Sequence, residues 1–174
     1  DSRDQRLMKI AGILREWTVM YSGVKENLLK SNRTLTRFTT EEMSRIFPDL
    51  PGNPSGWGTE NHYFYEIVNR AGNEVHIQLV LSSSNATEDF LKLCDRISTL
   101  PFIRPRRNGW KWWTIYRTEN INIGEEIDRA EIFEKLNQAG ELSRPLTCSI
   151  GAFATHCQRP FEHYYAQADQ ALYQ

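Results

Sequence analysis

His62-Tyr63-Phe64-Tyr65-Glu66-Ile67-Val68 and Glu74-Val75-His76-Ile77-Gln78-Leu79-Val80-Leu81 are joined by Asn69-Arg70-Ala71-Gly72-Asn73. Both flanking runs are aromatic and β-branched, the composition that packs on a pleated surface. The joining residues are short and polar and include a glycine, so the stretch predicts a β-hairpin. A hairpin needs further strands and a covering layer to bury its apolar face.

Downstream, Ser82–Asn85 reads as a loop. Thr87 or Asn85 can cap a helix whose apolar stripe is Phe90, Leu91, Leu93-Cys94, Ile97 and Leu100, and Pro101 stops it. Gly109–Arg117, rich in Trp, Thr, Ile and Tyr, predicts a strand. Within it Trp113 and Ile115 would face one side, Trp112 and Thr114 the other. Ile127, Ala130, Ile132-Phe133 and Leu136 predict a helix over 125–138, ended by Ala139-Gly140. Leu146, Cys148 and Ile150 alternate with Thr147 and Ser149, predicting a strand over 146–151. From Phe161 the spacing of Tyr164, Tyr165, Ala168, Ala171 and Leu172 predicts a terminal helix over 161–173.

Upstream, Leu7, Ile10, Ala11, Leu14 and Trp17 recur at helical spacing. The pattern runs on through Val19-Met20, Val24, Leu28 and Leu29, predicting one long helix broken near Gly23. Thr39 or Thr40 with Glu42 starts a short helix, Glu41–Phe47, that Pro48 ends. Pro51-Gly52-Asn53-Pro54-Ser55-Gly56-Trp57-Gly58 is a loop. It lacks the Lys and Ser/Thr of a phosphate loop, and no strand feeds it. The order of elements implies an α/β or α+β fold: one mixed or antiparallel sheet with a hairpin, covered by helices.

The 174 residues suit a single domain with a real core. A net charge of −1 gives no global attraction to nucleic acid. The 40% hydrophobic content and five tryptophans exclude a disordered chain. No apolar run approaches the ~20 residues of a membrane span. Three widely spaced cysteines, Cys94, Cys148 and Cys157, with no CxxC, favour reduced thiols in a cytoplasmic setting. The chain starts without Met and stops inside a helical pattern, so it reads as part of a longer protein with an upstream domain.

Two blocks near the C-terminus carry a family resemblance: Cys148-Ser149-Ile150-Gly151-Ala152, and Ala168-Asp169-Gln170-Ala171-Leu172-Tyr173-Gln174. In that order and spacing, residues 144–174 resemble the end of GGDEF domains, the bacterial diguanylate cyclases. The resemblance implies a signalling domain whose parent activity uses a metal-binding Asp and a Gly-Gly-Asp/Glu-Glu-Phe hairpin. Neither appears here. The nearest string, Ile123-Gly124-Glu125-Glu126-Ile127, lies about half the expected interval before Ser149 and at a helix start. The resemblance therefore implies a degenerate, non-catalytic regulatory or binding domain. Two organisations fit: one diverged domain over 1–174, or a fusion with a junction near 139–145.

The second site candidate is Arg104-Pro105-Arg106-Arg107-Asn108-Gly109-Trp110-Lys111-Trp112-Trp113. Four cations interleaved with indoles combine phosphate attraction with base stacking. Arg104, Arg106, Arg107, Trp110, Lys111 and Trp113 are the candidate ligand-binding residues, with Trp110 taken as the exposed indole. Residues 60–138 distantly resemble the C-terminal part of PD-(D/E)XK nuclease-like proteins. Their catalytic acid and lysine pattern is not present, so the resemblance implies an accessory region that binds nucleic acid. The bland alternative is a basic loop entering a core strand. No catalytic set, cofactor motif or complete metal site is discernible; His156-Cys157 with His163 lacks a fourth ligand. The oligomeric state is not legible.

Overall fold

The computed structural model describes residues 2–27 and 29–155. α1 (Ser2–Met20) is followed by β1 (Val24–Asn27), β2 (Leu35–Thr40) and the short α2 (Glu41–Ile46). The hairpin β3 (Tyr63–Val68) and β4 (Glu74–Ser82) comes next, then α3 (Glu88–Ile97), β5 (Trp112–Arg117), β6 (Ile121–Asn122) and α4 (Arg129–Thr155).

The sheet has six strands, all antiparallel, in the order β1-β2-β3-β4-β5, with β6 beside the start of β4. The predicted hairpin sits at its centre, Tyr65 opposite Leu79 and Phe64 opposite Val80. Its turn uses Gly72 at φ 77°, a left-handed conformation that a Cβ would strain. Tyr63, Tyr65, Ile67, Ile77, Leu79, Leu81, Phe38, Trp113 and Ile115 point to one face. There they join Leu14 and Trp17 of α1, Met43 of α2, Phe90 and Cys94 of α3, and Leu136 of α4 in one core. The sheet-and-helix architecture thus follows the sequence expectation, and the opposed faces of Trp113 and Trp112 do too.

Capping also follows the sequence. The Thr40 side chain accepts from Met43 N at 3.1 Å, and Thr87 from Phe90 N at 3.2 Å. Asp128 Oδ1 accepts from Ala130 N at 3.0 Å, so α4 starts at Arg129 rather than at 125.

Several expectations need correction. The first helix does not run past Gly23. It ends at Met20, Gly23 takes φ 94°, and Val24 pairs with Thr40 as a strand. The Thr-rich segment Leu35–Thr40, not anticipated as a strand, is the second strand of the sheet. The predicted strand over 146–151 is helical, part of α4, and pairs with no strand. Ile132, Leu136, Ala139 and Ile150 all bury into the core. Their spacing continues one helical stripe, which prevails over a five-residue alternation. Gly140 does not end the helix either. A Cβ there would come within 2.7 Å of the Tyr21 hydroxyl, so this glycine admits close packing. The boundary at 139–145 falls inside α4. The predicted helix over 161–173 lies outside the described residues.

Candidate nucleic-acid interface

The segment 104–113 forms the approach to β5 and is pinned to it. Arg104 N donates to Ile115 O at 3.1 Å, and Trp113 Nε1 donates to Arg104 O at 2.8 Å. Ser83 Oγ donates to Trp110 O at 2.6 Å, and Ser83 N to Lys111 O at 3.1 Å. Gly109 turns the chain at φ 69°, just before the tryptophans.

The structure separates the candidate residues by role. Trp113 is 3% exposed and belongs to the core, so it offers no stacking surface. Trp110 is half-buried, edge-on to Trp113 at 5.5 Å. Arg106 is tied inward: Nη2 donates to Asp95 Oδ1 at 2.5 Å, and the guanidinium lies 5.1 Å from the Trp113 ring and 5.7 Å from Trp110. It fastens the loop to α3. Arg104, Arg107 and Lys111 are exposed. Arg107, Asn108 and Trp110 face Ser83, Leu91 and Asp95 across an open cleft of about 590 Å³.

The exposed indole is Trp112, at 43%, not Trp110. It projects from the sheet face opposite the helices. Its ring lies 4.6 Å from Trp57, which in turn meets Phe64 edge-on at 4.8 Å. Lys111 Nζ sits 5.7 Å from the Trp112 centroid, a cation over the ring. Gly56 makes this possible, because a Cβ there would stand 2.5 Å from Trp112 Cη2.

The 50s loop reaches this position through a buried histidine. His62 Nε2 lies 2.8 Å from Asn53 O and Nδ1 lies 3.1 Å from Ser82 O. Gly56 N donates to Ser82 Oγ at 3.1 Å, and Asn53 Nδ2 to Asn85 O at 3.0 Å. The sequence reading missed Gly56, Trp57 and Trp112 as site residues. The signal available was the Trp57 indole in an otherwise small, polar loop.

No protein-family model, curated protein or solved structure matches this chain.

Beside Trp112 the same sheet face turns polar. Arg37, Glu66, Gln78 and His76 form a hydrogen-bonded row across β2, β3 and β4. Both Glu66 carboxylate oxygens are occupied, by Arg37 and Gln78. Burial holds the His76 imidazole below its ordinary pKa, against the opposing pull of its Gln78 hydrogen bond. Among the described residues no three His, Cys, Asp or Glu side chains gather as metal ligands. His156, Cys157 and His163 lie outside the described residues. Nor is any described helix long and apolar enough to cross a membrane.

Proposed function

We propose that this chain is a non-catalytic binding domain that holds single-stranded nucleic acid against the approach to β5. The observation that carries the reading is the exposed Trp112 indole, backed by Trp57 and overhung by Lys111. A flat, wet indole beside a cation suits a base stacked on its face and a phosphate at its edge. Arg104 and Arg107 extend the positive edge along the loop. Arg107 and Trp112 are five residues apart, at most about 18 Å even in a fully extended chain, within reach of one short strand. Arg106 positions this loop through Asp95 rather than meeting phosphate.

Fluorescence anisotropy with labelled single- and double-stranded oligonucleotides at low salt tests the reading. Three phosphate contacts predict a log–log salt slope of roughly −2 on single strands. The Arg104→Ala, Arg107→Ala, Lys111→Ala triple variant flattens that slope and weakens all sequences alike. Trp112→Ala costs about 1–3 kcal/mol of binding. Absence of binding to either form at low salt ends this proposal.

A second reading is a regulatory domain of the degenerate GGDEF kind, acting in the cytoplasm. It is supported by the two C-terminal sequence blocks; the first is helical in α4, and the second lies outside the described residues. It predicts that the chain forms no cyclic di-GMP from GTP and Mg²⁺, and any product would sink it.

A further inference from the structure

The helix side of the sheet holds a cavity that the nucleic-acid reading leaves unused. It lies where the end of α1 and the turn at Ser22-Gly23 meet β2 and α4, with a volume of about 240 Å³. Pockets for drug-sized ligands run to ~300–1,000 Å³, so any occupant here is small. Four rings line it: Trp17, Tyr21, Phe38 and Tyr65. Trp17 stacks on Tyr21 at 4.6 Å and meets Phe38 edge-on at 5.8 Å, while Phe38 stacks on Tyr65 at 5.2 Å. The rings thus form one continuous aromatic surface.

The described lining of this cavity carries charge of one sign. Among the described residues lining it, Glu42 is the only acidic or basic side chain, and it stands exposed. Aromatic faces carry negative potential as well. Burial raises the Tyr65 hydroxyl pKa, against the opposing pull of its Thr147 hydrogen bond. An anion would meet repulsion from both sources. The suitable guest is a cation with an apolar envelope.

We propose that this cavity binds a small organic cation of the methylated or quaternary ammonium class. The rings of Trp17, Tyr21, Phe38 and Tyr65 enclose the apolar head, and the Glu42 carboxylate balances its charge. The site is on the opposite side of the sheet from Trp112, so its test does not depend on nucleic-acid binding.

The probe is choline, compared with dimethylbutanol, its uncharged carbon isostere, at constant ionic strength on the full chain. The readout is the Trp17 indole N–H resonance, a distinct reporter because Nε1 donates to Asn137 Oδ1 at 2.9 Å. Choline should shift it saturably and bind at least about tenfold tighter than dimethylbutanol. Glu42→Gln, at an exposed position, should weaken choline roughly two- to fivefold and leave dimethylbutanol unchanged. Gly140→Ala keeps a helix-compatible residue but forces Tyr21 to move, so it should lower choline affinity in a folded protein. Equal affinity for the two probes, no saturable shift, or undiminished choline binding by a folded Glu42→Gln or Gly140→Ala variant overturns the proposal.

Discussion

Arg37 Nε donates to Glu66 Oε2 at 2.5 Å, on the sheet face opposite the helices. The two residues are direct register partners on β2 and β3, and their side chains are only 13% and 7% exposed. Gln78, the partner of Glu66 on β4, donates to its other oxygen at 2.9 Å, while Arg37 also donates to Lys30 O. A buried pair is costly to break because the surviving charge has no solvent. Glu66→Ala is therefore expected to lower stability by about 3 kcal/mol. Replacing both residues by apolar ones of similar size should cost much less. Urea unfolding of Glu66→Ala, Arg37→Ala and the double variant checks this; a double-variant loss as large as the sum of the two single losses would mean that the pair is not coupled.

The row continues to His76, whose Nε2 donates to Gln78 Oε1 at 3.1 Å. Desolvation lowers its pKa; Arg117 and Arg70 reinforce this, while the Gln78 hydrogen bond and Glu74 oppose it. The unfolded chain takes up the proton near the ordinary value of 6.5, whereas the folded chain resists it. Below that pH the unfolded state binds more protons, so stability falls as pH falls. His76→Gln should remove this part of the pH dependence when urea midpoints at about pH 7.5 and 5.5 are compared. An identical pH dependence in parent and variant would rule His76 out as its source.

How much of this was legible in sequence depended on which force fixed each element. The hairpin, α2 and α3 follow from local pattern, turn chemistry and the Thr40 and Thr87 caps. Leu35–Thr40 escaped notice because one sheet neighbour, Tyr63–Val68, is remote in sequence and the other, Val24–Asn27, extends the helical spacing of α1; the strand forms only by pairing with them. Residues 146–150 show the reverse: a real alternation was overruled by burial of Ile150 against the helix side of the core. At the interface, Trp110, Trp112 and Trp113 are equivalent by composition. Only the register of Trp113 with Leu81, and of Trp112 with Ser82, assigns one to the core and the other to the surface. The Trp57–Trp112 contact joins residues that share no motif, so it was legible only in three dimensions.

Two described cysteines differ in exposure. Cys94 is fully buried on the core-facing side of α3, and desolvation pushes its thiol up to about 12, whereas Cys148 is exposed on α4. The thiolate is the reactive form. Alkylation with iodoacetamide under native conditions, followed by peptide mapping, should label Cys148 and leave Cys94 unmodified until urea is added. The high thiol pKa also means that folded protein retains a proton that the unfolded chain loses above its ordinary value of 9.0, so stability declines as pH rises through that range. Native labelling of Cys94 at the rate of Cys148 would contradict this packing.

The Trp112 platform can be tested without removing the indole. Gly56 has an ordinary backbone φ, so alanine there introduces no left-handed strain. Its Cβ would, however, approach Trp112 Cη2 to 2.5 Å and Cζ2 to 2.6 Å, and Lys111 Cε to 3.4 Å. The far edge of the indole must swing away from residue 56. A surface change of this kind should alter stability by no more than about 0.5 kcal/mol. If single strands stack on Trp112, Gly56→Ala should approach the loss of about 1–3 kcal/mol expected for Trp112→Ala. The double variant should then lose little more than either single change, because both act on the same surface. Near-ultraviolet circular dichroism reports the displaced Trp57–Trp112 pair, and anisotropy reports affinity. A changed aromatic spectrum with undiminished affinity would show that bases do not stack on Trp112.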